Sequence, residues 1–387
     1  MISRHLHEDS LLAWLQTLVR HPSGQSELQE KDPQVLSFIK TCAAPLLRDL
    51  GVQFRYDPMG NLIAEIGPQD TGRSLLFVAY AMTHPAANMS EPFAATLIDT
   101  PRGRAVRGRG VAEQKTALAA ALGAYGAALG RGNLGGRLIL ALTAAGETGR
   151  HDAIESIMRE LKMDPCFAIV CVGTDNRVAV GNKGRLDIDV VVKGRAAHSS
   201  VPWNGVNAIA GARRILERLE SFDLKVADHP TFGPATLTAT AIDSAPKATH
   251  TVPDTVRITF DRRLLPGEDP DAAFAALDRA IVIEAPWTVE CRRGPIMYPN
   301  EISPDGPLFA HLRVAFARAG QGDPQPFYCN FALDAGYFAR KGIEAVMLGP
   351  GEVDQFHSNE EHVLVADLVA MANVYYRMIE QCLAPNA

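Results

Sequence analysis

Hydrophobic residues in the first 180 positions follow two kinds of pattern. Short runs that are almost wholly apolar predict strands buried on both faces, and longer segments with apolar residues three or four positions apart predict helices. The predicted strands are 62–66, 74–81, 137–143 and 167–172. The predicted helices are a first one with Leu11, Leu15 and Leu18 on its apolar face, then 34–50, 115–129 and 152–161. Strands and helices that alternate on this scale predict an α/β layer.

The pattern changes after Gly184. Apolar and polar positions alternate in the next predicted strands, which is typical of strands with one exposed face. The elements are a strand at 186–192, a helix at 206–219, strands at 235–242 and 256–264, a helix at 271–281 and a strand at 287–291. This β-α-β-β-α-β order predicts a ferredoxin-like α+β domain. Because the α/β pattern returns afterwards, we expect one α/β domain formed by residues 1–184 and 292–387, with the domain 185–291 inserted into it.

Charge and composition exclude several classes of partner. The chain has 38 Lys and Arg against 44 Asp and Glu, and its lack of a basic block predicts no nucleic-acid partner. Its apolar runs are shorter than the roughly 20 residues of a membrane-spanning helix, so no membrane span is predicted. The first residues lack the apolar segment of a signal peptide, so secretion is not predicted either. Six scattered cysteines without a Cys-x2-Cys pair favour a cytoplasmic location.

A series of short motifs runs in order along the whole chain. They are His21-Pro-Ser-Gly24, Asp57-Pro-Met-Gly-Asn61-Leu62, Arg107-Gly-Arg-Gly110-Val-Ala-Glu113-Gln-Lys115, Gly194-Arg-Ala-Ala-His198-Ser-Ser-Val-Pro202, Val252-Pro-Asp254, Asp261-Arg-Arg263, Gly349-Pro-Gly351 and His357-Ser-Asn-Glu-Glu361. Together they resemble the acetylornithine deacetylase, succinyl-diaminopimelate desuccinylase and carboxypeptidase G family of zinc metallopeptidases and aminoacylases. The resemblance implies a zinc-exopeptidase-like α/β catalytic domain, with 185–291 as a lid that forms a homodimer.

Relatives in this family hold two zinc ions, and half of that site is altered here. A His-x-Asp strand end corresponds to Tyr80 and Met82, neither of which is a good zinc ligand. A carboxylate from a Gly-Glu-Pro-like turn corresponds to Thr174, although Asp175 follows it. The family's general base, the first of two consecutive glutamates, corresponds to Gly146.

The other half of the site is retained. Glu113 corresponds to the bridging carboxylate, Glu147 to the second glutamate of the pair and His357 to the late histidine ligand. Two carboxylates and one imidazole form a ligand set that suits a single divalent ion, zinc or manganese, and no second ion is expected. His84 and Asp175 are further candidate ligands. The alternative for Glu113, Glu147, His357 and His84 is an ordinary surface, loop or helix-start role.

The resemblance also assigns substrate contacts. His198 corresponds to a histidine that, in dimeric relatives, reaches into the active site of the partner subunit and polarises the scissile carbonyl of the substrate there. Arg263 corresponds to an arginine that holds a substrate carboxylate. His250 stands where an asparagine is expected, and Gly351 belongs to a motif of the substrate pocket. Tyr80 has two alternatives: it donates a hydrogen bond to an oxyanion, or it fills the volume of the missing zinc.

These residues predict a hydrolase that cleaves an amide-like C–N bond in a small carboxylate-bearing molecule. Since the usual base is absent, the proton must be taken by Tyr80, His84 or the substrate. The first alternative is a metal-independent deaminase, isomerase or specialised hydrolase, in which Glu147 or Glu113 is the acid or base and His198 the electrophile. The second is a small-molecule binder without catalytic activity.

Overall fold

The computed structural model describes residues 3–25, 31–69, 71–146 and 148–385. The chain divides into two compact units. We call Met1–Gly181, Asn300–Tyr328 and Asp334–Ala387 the α/β unit, and Asn182–Pro299 with Cys329–Leu333 the lid unit. No helix within the described ranges is both long enough and apolar enough to cross a membrane.

Strands and helices are numbered along the chain. The strands are β1 Phe54–Tyr56, β2 Leu62–Ile66, β3 Ser74–Tyr80, β4 Thr96–Thr100, β5 Gly103–Arg107, β6 Arg137–Thr143, β7 Phe167–Cys171, β8 Val178–Asn182, β9 Gly184–Lys193, β10 Ala197–His198, β11 Thr236–Ala245, β12 Thr251–Val252, β13 Thr255–Leu264, β14 Thr288–Met297, β15 Asn300–Glu301, β16 Pro326–Cys329, β17 Glu344–Leu348 and β18 His362–Leu364. The α-helices are α1 Glu8–Arg20, α2 Pro33–Phe38, α3 Ala44–Asp49, α4 Thr116–Arg131, α5 Asp152–Glu160, α6 Ala208–Glu220, α7 Pro270–Ala280, α8 Pro307–Arg318, α9 Ala335–Arg340 and α10 Val365–Leu383.

The main sheet has the strand order β1-β2-β6-β3-β7-β17-β8-β15, and β16 pairs with β8. Its centre is parallel, since β6, β3, β7 and β17 run in one direction. Every residue of β3 and β6 is buried, as their uninterrupted apolar runs predict. Helices α4 and α10 pack against β3 and against each other. The carboxyl ends of the central strands therefore meet at one edge of the sheet, where α/β proteins form their sites.

The lid unit contains a four-stranded antiparallel sheet in the order β11-β13-β9-β14. Its chain order is strand, helix, strand, strand, helix, strand, with α6 and α7 as the helices, so the ferredoxin-like prediction is confirmed. Alternate residues of β9 (Leu186, Ile188, Val190 and Val192) are buried in the core of this unit. Asp187, Asp189 and Val191, which lie between them, face the other side of the sheet.

Some local structure differs from the sequence prediction. The helix predicted at 34–50 consists of α2 and α3 joined by a π-helical turn, Ile39–Ala43. Strand β14 extends to Met297 rather than ending at Cys291. The small sheet of β4, β5 and β18 was not predicted, because its short strands are largely exposed and lack a clear apolar alternation.

Candidate functional site

Glu113 and His357 contact each other at the carboxyl edge of the main sheet. Glu113 lies on a π-helical turn, Val111–Lys115, that leads into α4. Its Oε2 is 3.1 Å from Nε2 of His357, whose backbone is left-handed with φ of 59°. The Glu113 side chain is 14% exposed and that of His357 is 41% exposed. The structure thus brings together two of the three predicted metal ligands, on a surface that solvent reaches.

A buried ion pair fixes the turn that carries Glu113. The carboxylate of Glu361 accepts hydrogen bonds from the backbone N–H of Gly110 and of Ala112, both at 2.9 Å. It also pairs with Arg109 at 3.0 Å, and both side chains are 1% exposed. Burial raises the pKa of Glu361, while the two backbone hydrogen bonds and Arg109 oppose that rise. Glu361 is four residues after His357, so its hydrogen bonds join the segment that carries His357 to the turn that carries Glu113.

We expect Glu361→Gln to lower the free energy of unfolding by about 3 kcal/mol, because it leaves the Arg109 guanidinium buried without a counter-charge. Glu360→Gln is the matched control. Its carboxylate pairs with Arg107 but is 80% exposed, so its loss should change stability by less than about 1 kcal/mol. Urea unfolding of both variants measures the difference. Equal stabilities would show that the buried pair does not support the turn.

The two further candidate ligands have other contacts. The His84 ring is stacked on that of His357, with centroids 4.0 Å apart and an interplanar angle of 19°. Both carboxylate oxygens of Asp175 are engaged, one by Arg177 at 2.8 Å and the other by the backbone N–H of Val353 at 3.0 Å. In the parts of the chain that the structure describes, no three His, Cys, Asp or Glu side chains are arranged to hold a metal. Glu147, predicted as a ligand and as a catalytic residue, lies outside the described residues.

The positions predicted to correspond to the altered half of the site are filled with side chains. Tyr80 and Met82 are each 2% exposed. A Cβ on Gly146 would lie 2.9 Å from Cδ1 of Tyr80 and 3.1 Å from Sδ of Met82. We call Tyr80, Met82 and Gly146 the plug. Because the ring and the thioether occupy the space beside Gly146, no side chain fits at this position, which is predicted to correspond to the family's general base.

The hydroxyl of Tyr80 donates a hydrogen bond to Oδ2 of Asp334 at 2.8 Å. Burial, followed by the negative charge of Asp334, holds the pKa of Tyr80 well above its usual value. Its proton is directed at Asp334, which agrees with the space-filling alternative rather than with an oxyanion donor. The hydroxyl of Thr174 is likewise engaged, donating to the carbonyl of Arg177 at 2.6 Å and accepting from the N–H of Gly349 at 3.1 Å.

The lid unit brings His198 and His250 together. They lie at the paired strands β10 and β12, where the N–H of Ser199 donates to the carbonyl of His250 at 2.9 Å. The two rings are 5.9 Å apart between centroids. Nδ1 of His198 is 2.7 Å from Oγ of Ser200, and the His198 side chain is exposed. An exposed imidazole with one nitrogen held in this way can present its other nitrogen to a ligand.

Arg263 and Gly351 have firm structural partners. The Arg263 guanidinium forms a bidentate pair with Asp261, at 2.8 and 3.0 Å, so its fork is already bound to a carboxylate. Gly351 has φ of +100°, and a Cβ there would lie 2.1 Å from the carbonyl oxygen of Ala112. Glycine is therefore required where this loop packs on the turn that carries Glu113.

Asp334 was not predicted as a site residue. It is nearly buried and lies within 2.8 Å of both Tyr80 and His151. The only signal in the sequence is an acid within the mostly apolar segment 331–338, which is uncommon unless the carboxylate has a partner. The partners themselves are far away along the chain.

Comparisons with known proteins agree with this architecture. A family model for the M20 peptidase dimerisation domain matches residues 180–289. An M20 family metallo-carboxypeptidase from Sulfolobus solfataricus has the same fold, with a TM-score of 0.77 and 19% identity over 96% of this chain and 99% of that one. The chain is thus similar to M20 peptidases in its lid segment and in its fold. Acetylornithine deacetylase of Myxococcus xanthus is 27% identical to this chain, over 82% of the chain and 83% of the deacetylase. Succinyl-diaminopimelate desuccinylase of Magnetococcus marinus is 25% identical to this chain, over 88% of the chain and 92% of the desuccinylase.

These similarities confirm the family resemblance and the fold class predicted from the motifs. The chain shares its fold with the solved carboxypeptidase, and the family model for the dimerisation domain matches the inserted ferredoxin-like unit. The predicted class, a hydrolase of a metallopeptidase family, is supported by relatives that are named deacetylase, desuccinylase and metallo-carboxypeptidase.

Proposed function

We propose that this protein hydrolyses an amide-like C–N bond in a small carboxylate-bearing molecule, with a single divalent ion, zinc or manganese, at Glu113, His357 and Glu147. The observation that carries the proposal is the 3.1 Å approach of Glu113 and His357 at the carboxyl edge of the sheet. A carboxylate and an imidazole this close provide two ligands for one ion. The plug argues against a second ion, because a phenol and a thioether stand at the two positions that correspond to the His-x-Asp strand end, and neither is a good zinc ligand.

When bound, the ion would activate a water molecule and polarise the substrate carbonyl. His84 is our candidate for the proton acceptor. Its Nδ1 lies 3.1 Å from the carbonyl oxygen of Pro85, which accepts and so places the proton of the neutral ring on Nδ1. Nε2 then carries the lone pair that can take a proton from water. We propose that His198 and His250 of the lid orient the substrate amide, and that Arg263 contributes positive charge for its carboxylate while it is paired with Asp261.

Metal content per chain tests the proposal. We expect about one zinc or manganese per chain by plasma mass spectrometry, in protein made with both metals and without chelators. His357→Ala should contain close to none, whereas His229→Ala, which changes a half-buried histidine of the lid unit, should keep the wild-type content. Two ions per chain would contradict the proposal that the plug prevents binding of a second ion. A complete absence of metal would remove the metallohydrolase proposal.

A second candidate function follows from the direct contact between Glu113 and His357. Without a metal, the carboxylate accepts the Nε2 proton and holds the imidazole in one tautomer, so Nδ1 of His357 becomes a base. A metal-independent hydrolase, deaminase or isomerase is compatible with this geometry. Activity that survives exhaustive chelation would favour it. Binding of small carboxylates without turnover would favour the binder, the remaining alternative from the sequence.

We propose that the protein is a homodimer formed by the lid unit. The family model that matches 180–289 is one for a dimerisation domain. Strand β11 is at the edge of the lid sheet, and its Ile242 is 59% exposed. We expect Ile242→Asp to convert the dimer into a monomer in size-exclusion chromatography with light scattering. Leu97→Asp, on an exposed apolar residue of the α/β unit, is the control that should remain dimeric.

The expected absence of nucleic-acid and membrane partners, and the cytoplasmic location, remain predictions from the sequence. So do the domain boundaries at 184 and 292. The proposals above depend on none of them.

A further inference from the structure

A buried polar network lies beside the plug and has no part in the chemistry proposed above. Asp334 accepts a hydrogen bond from the Tyr80 hydroxyl on one oxygen, and its other oxygen is 2.8 Å from Nδ1 of His151. The exposed fractions of Tyr80, Asp334 and His151 are 2%, 3% and 7%. An ionised carboxylate can only accept, so Nδ1 of His151 carries the proton that faces Asp334.

The network joins three elements at the carboxyl edge of the main sheet. Tyr80 is the last residue of β3, His151 directly precedes α5, and Asp334 directly precedes α9. Two donors satisfy one buried carboxylate, and this is the condition under which a buried charge is tolerated. An Asp at the start of a short helix does not need both of these partners, so the arrangement indicates a role beyond helix capping.

A continuous set of contacts leads from Asp334 to the Glu113–His357 pair. The Tyr80 ring is packed beside Gly146, where Met82 also lies. Sδ of Met82 is 3.9 Å from Nε2 of Gln114, which follows Glu113 on the π-helical turn. Displacement of the Tyr80 ring would therefore be transmitted through Met82 and Gln114 to the turn that presents Glu113.

We propose that Asp334 is a positioning residue, and that its network with Tyr80 and His151 holds this half of the site in place. In two-metal relatives, bound metal holds the corresponding half. The catalytic consequence rests on the proposed function, whereas the structural link to His357 does not. Partners of this kind orient the groups that bind metal or substrate, and their loss typically lowers activity ten- to a hundredfold.

Asp334→Asn tests the proposal, because asparagine keeps the shape but removes the charge and one of the two acceptors. We expect kcat to fall about ten- to a hundredfold with KM changed less than threefold. Tyr80→Phe keeps the plug's ring and removes only the hydroxyl, so it should show a smaller fall in kcat. The double variant should be no worse than Asp334→Asn alone, because both changes break one network. Asp164→Asn, at an exposed acid of the same unit, should behave as wild type.

A readout independent of activity separates this proposal from the proposed function. In ¹⁵N-labelled protein, Asp334→Asn should remove the downfield Nδ1–H resonance of His151 and also shift the ring signals of His357. Shifts confined to His151, in a variant that melts at the wild-type temperature, would overturn the positioning role whether or not the protein hydrolyses amides. Additive losses of kcat in the double variant would overturn it as well. If wild-type protein has no hydrolase activity, a shifted His357 signal still supports the link.

Discussion

Replacing His357 with alanine is expected to lower kcat/KM for hydrolysis of N-acyl amino acids by roughly a thousandfold, since it removes a group that binds metal or transfers a proton in both candidate mechanisms. His357 is the histidine whose ring contacts Glu113 and stacks on His84. Its loss therefore removes a proposed metal ligand. It also removes the ring on which His84, the proposed proton acceptor, is stacked. Steady-state kinetics on a panel of N-acetyl and N-succinyl amino acids measures the effect.

The matched control is His362→Ala. This histidine is five residues further along the chain, and its Nδ1 lies 2.8 Å from the carbonyl oxygen of Glu360 rather than near Glu113. We expect its kcat/KM to stay within threefold of wild type. Chelation followed by addition of manganese separates the two mechanisms, because only the single-metal enzyme loses its activity and regains it. A His357→Ala variant that keeps wild-type activity would contradict both mechanisms.

The sequence predicted the strands and helices of the α/β unit and of the lid unit well, because these elements follow from the local pattern of apolar and polar residues. Wholly apolar runs such as 74–81 and 137–143 predict central strands, and the alternation in 186–192 predicts a half-exposed one. The π-helical turn that carries Glu113 could not be predicted this way, since its sequence, Val111–Lys115, also suits the start of an ordinary helix. It is defined by Glu361, about 250 positions away in the chain.

The candidate site was only partly predictable, for a related reason. Motif order identified Glu113 and His357, which the structure places together. Motif order could not show where a side chain points: the carboxylate of Asp175 is held by Arg177 and the N–H of Val353. Nor could it identify Asp334, whose role depends on a contact with Tyr80 across 254 positions. Long-range pairs of this kind leave no local pattern in a single sequence.

A side chain at position 146, which is predicted to correspond to the family's general base, would compete with the Tyr80 ring for the same space, and Gly146→Glu tests this. Restoring the glutamate alone should lower the free energy of unfolding by about 4 kcal/mol, because its stem would enter the plug and its carboxylate would be buried between a ring and a thioether. Gly130→Glu is the control. A Cβ on Gly130, near the end of α4, meets nothing within 4 Å, so this change should be neutral or stabilising by up to about 1 kcal/mol.

Adding Tyr80→Ala to Gly146→Glu should recover part of the lost stability, although Tyr80→Ala alone is expected to cost about 3 kcal/mol by leaving a cavity. The glutamate stem can then occupy the volume that the ring has left. We expect a coupling energy of about 2 kcal/mol from the double-mutant cycle, measured by urea unfolding. Strict additivity would mean that the ring and the missing base do not compete for the same space. In that case the absence of a glutamate at position 146 would need a cause other than the plug.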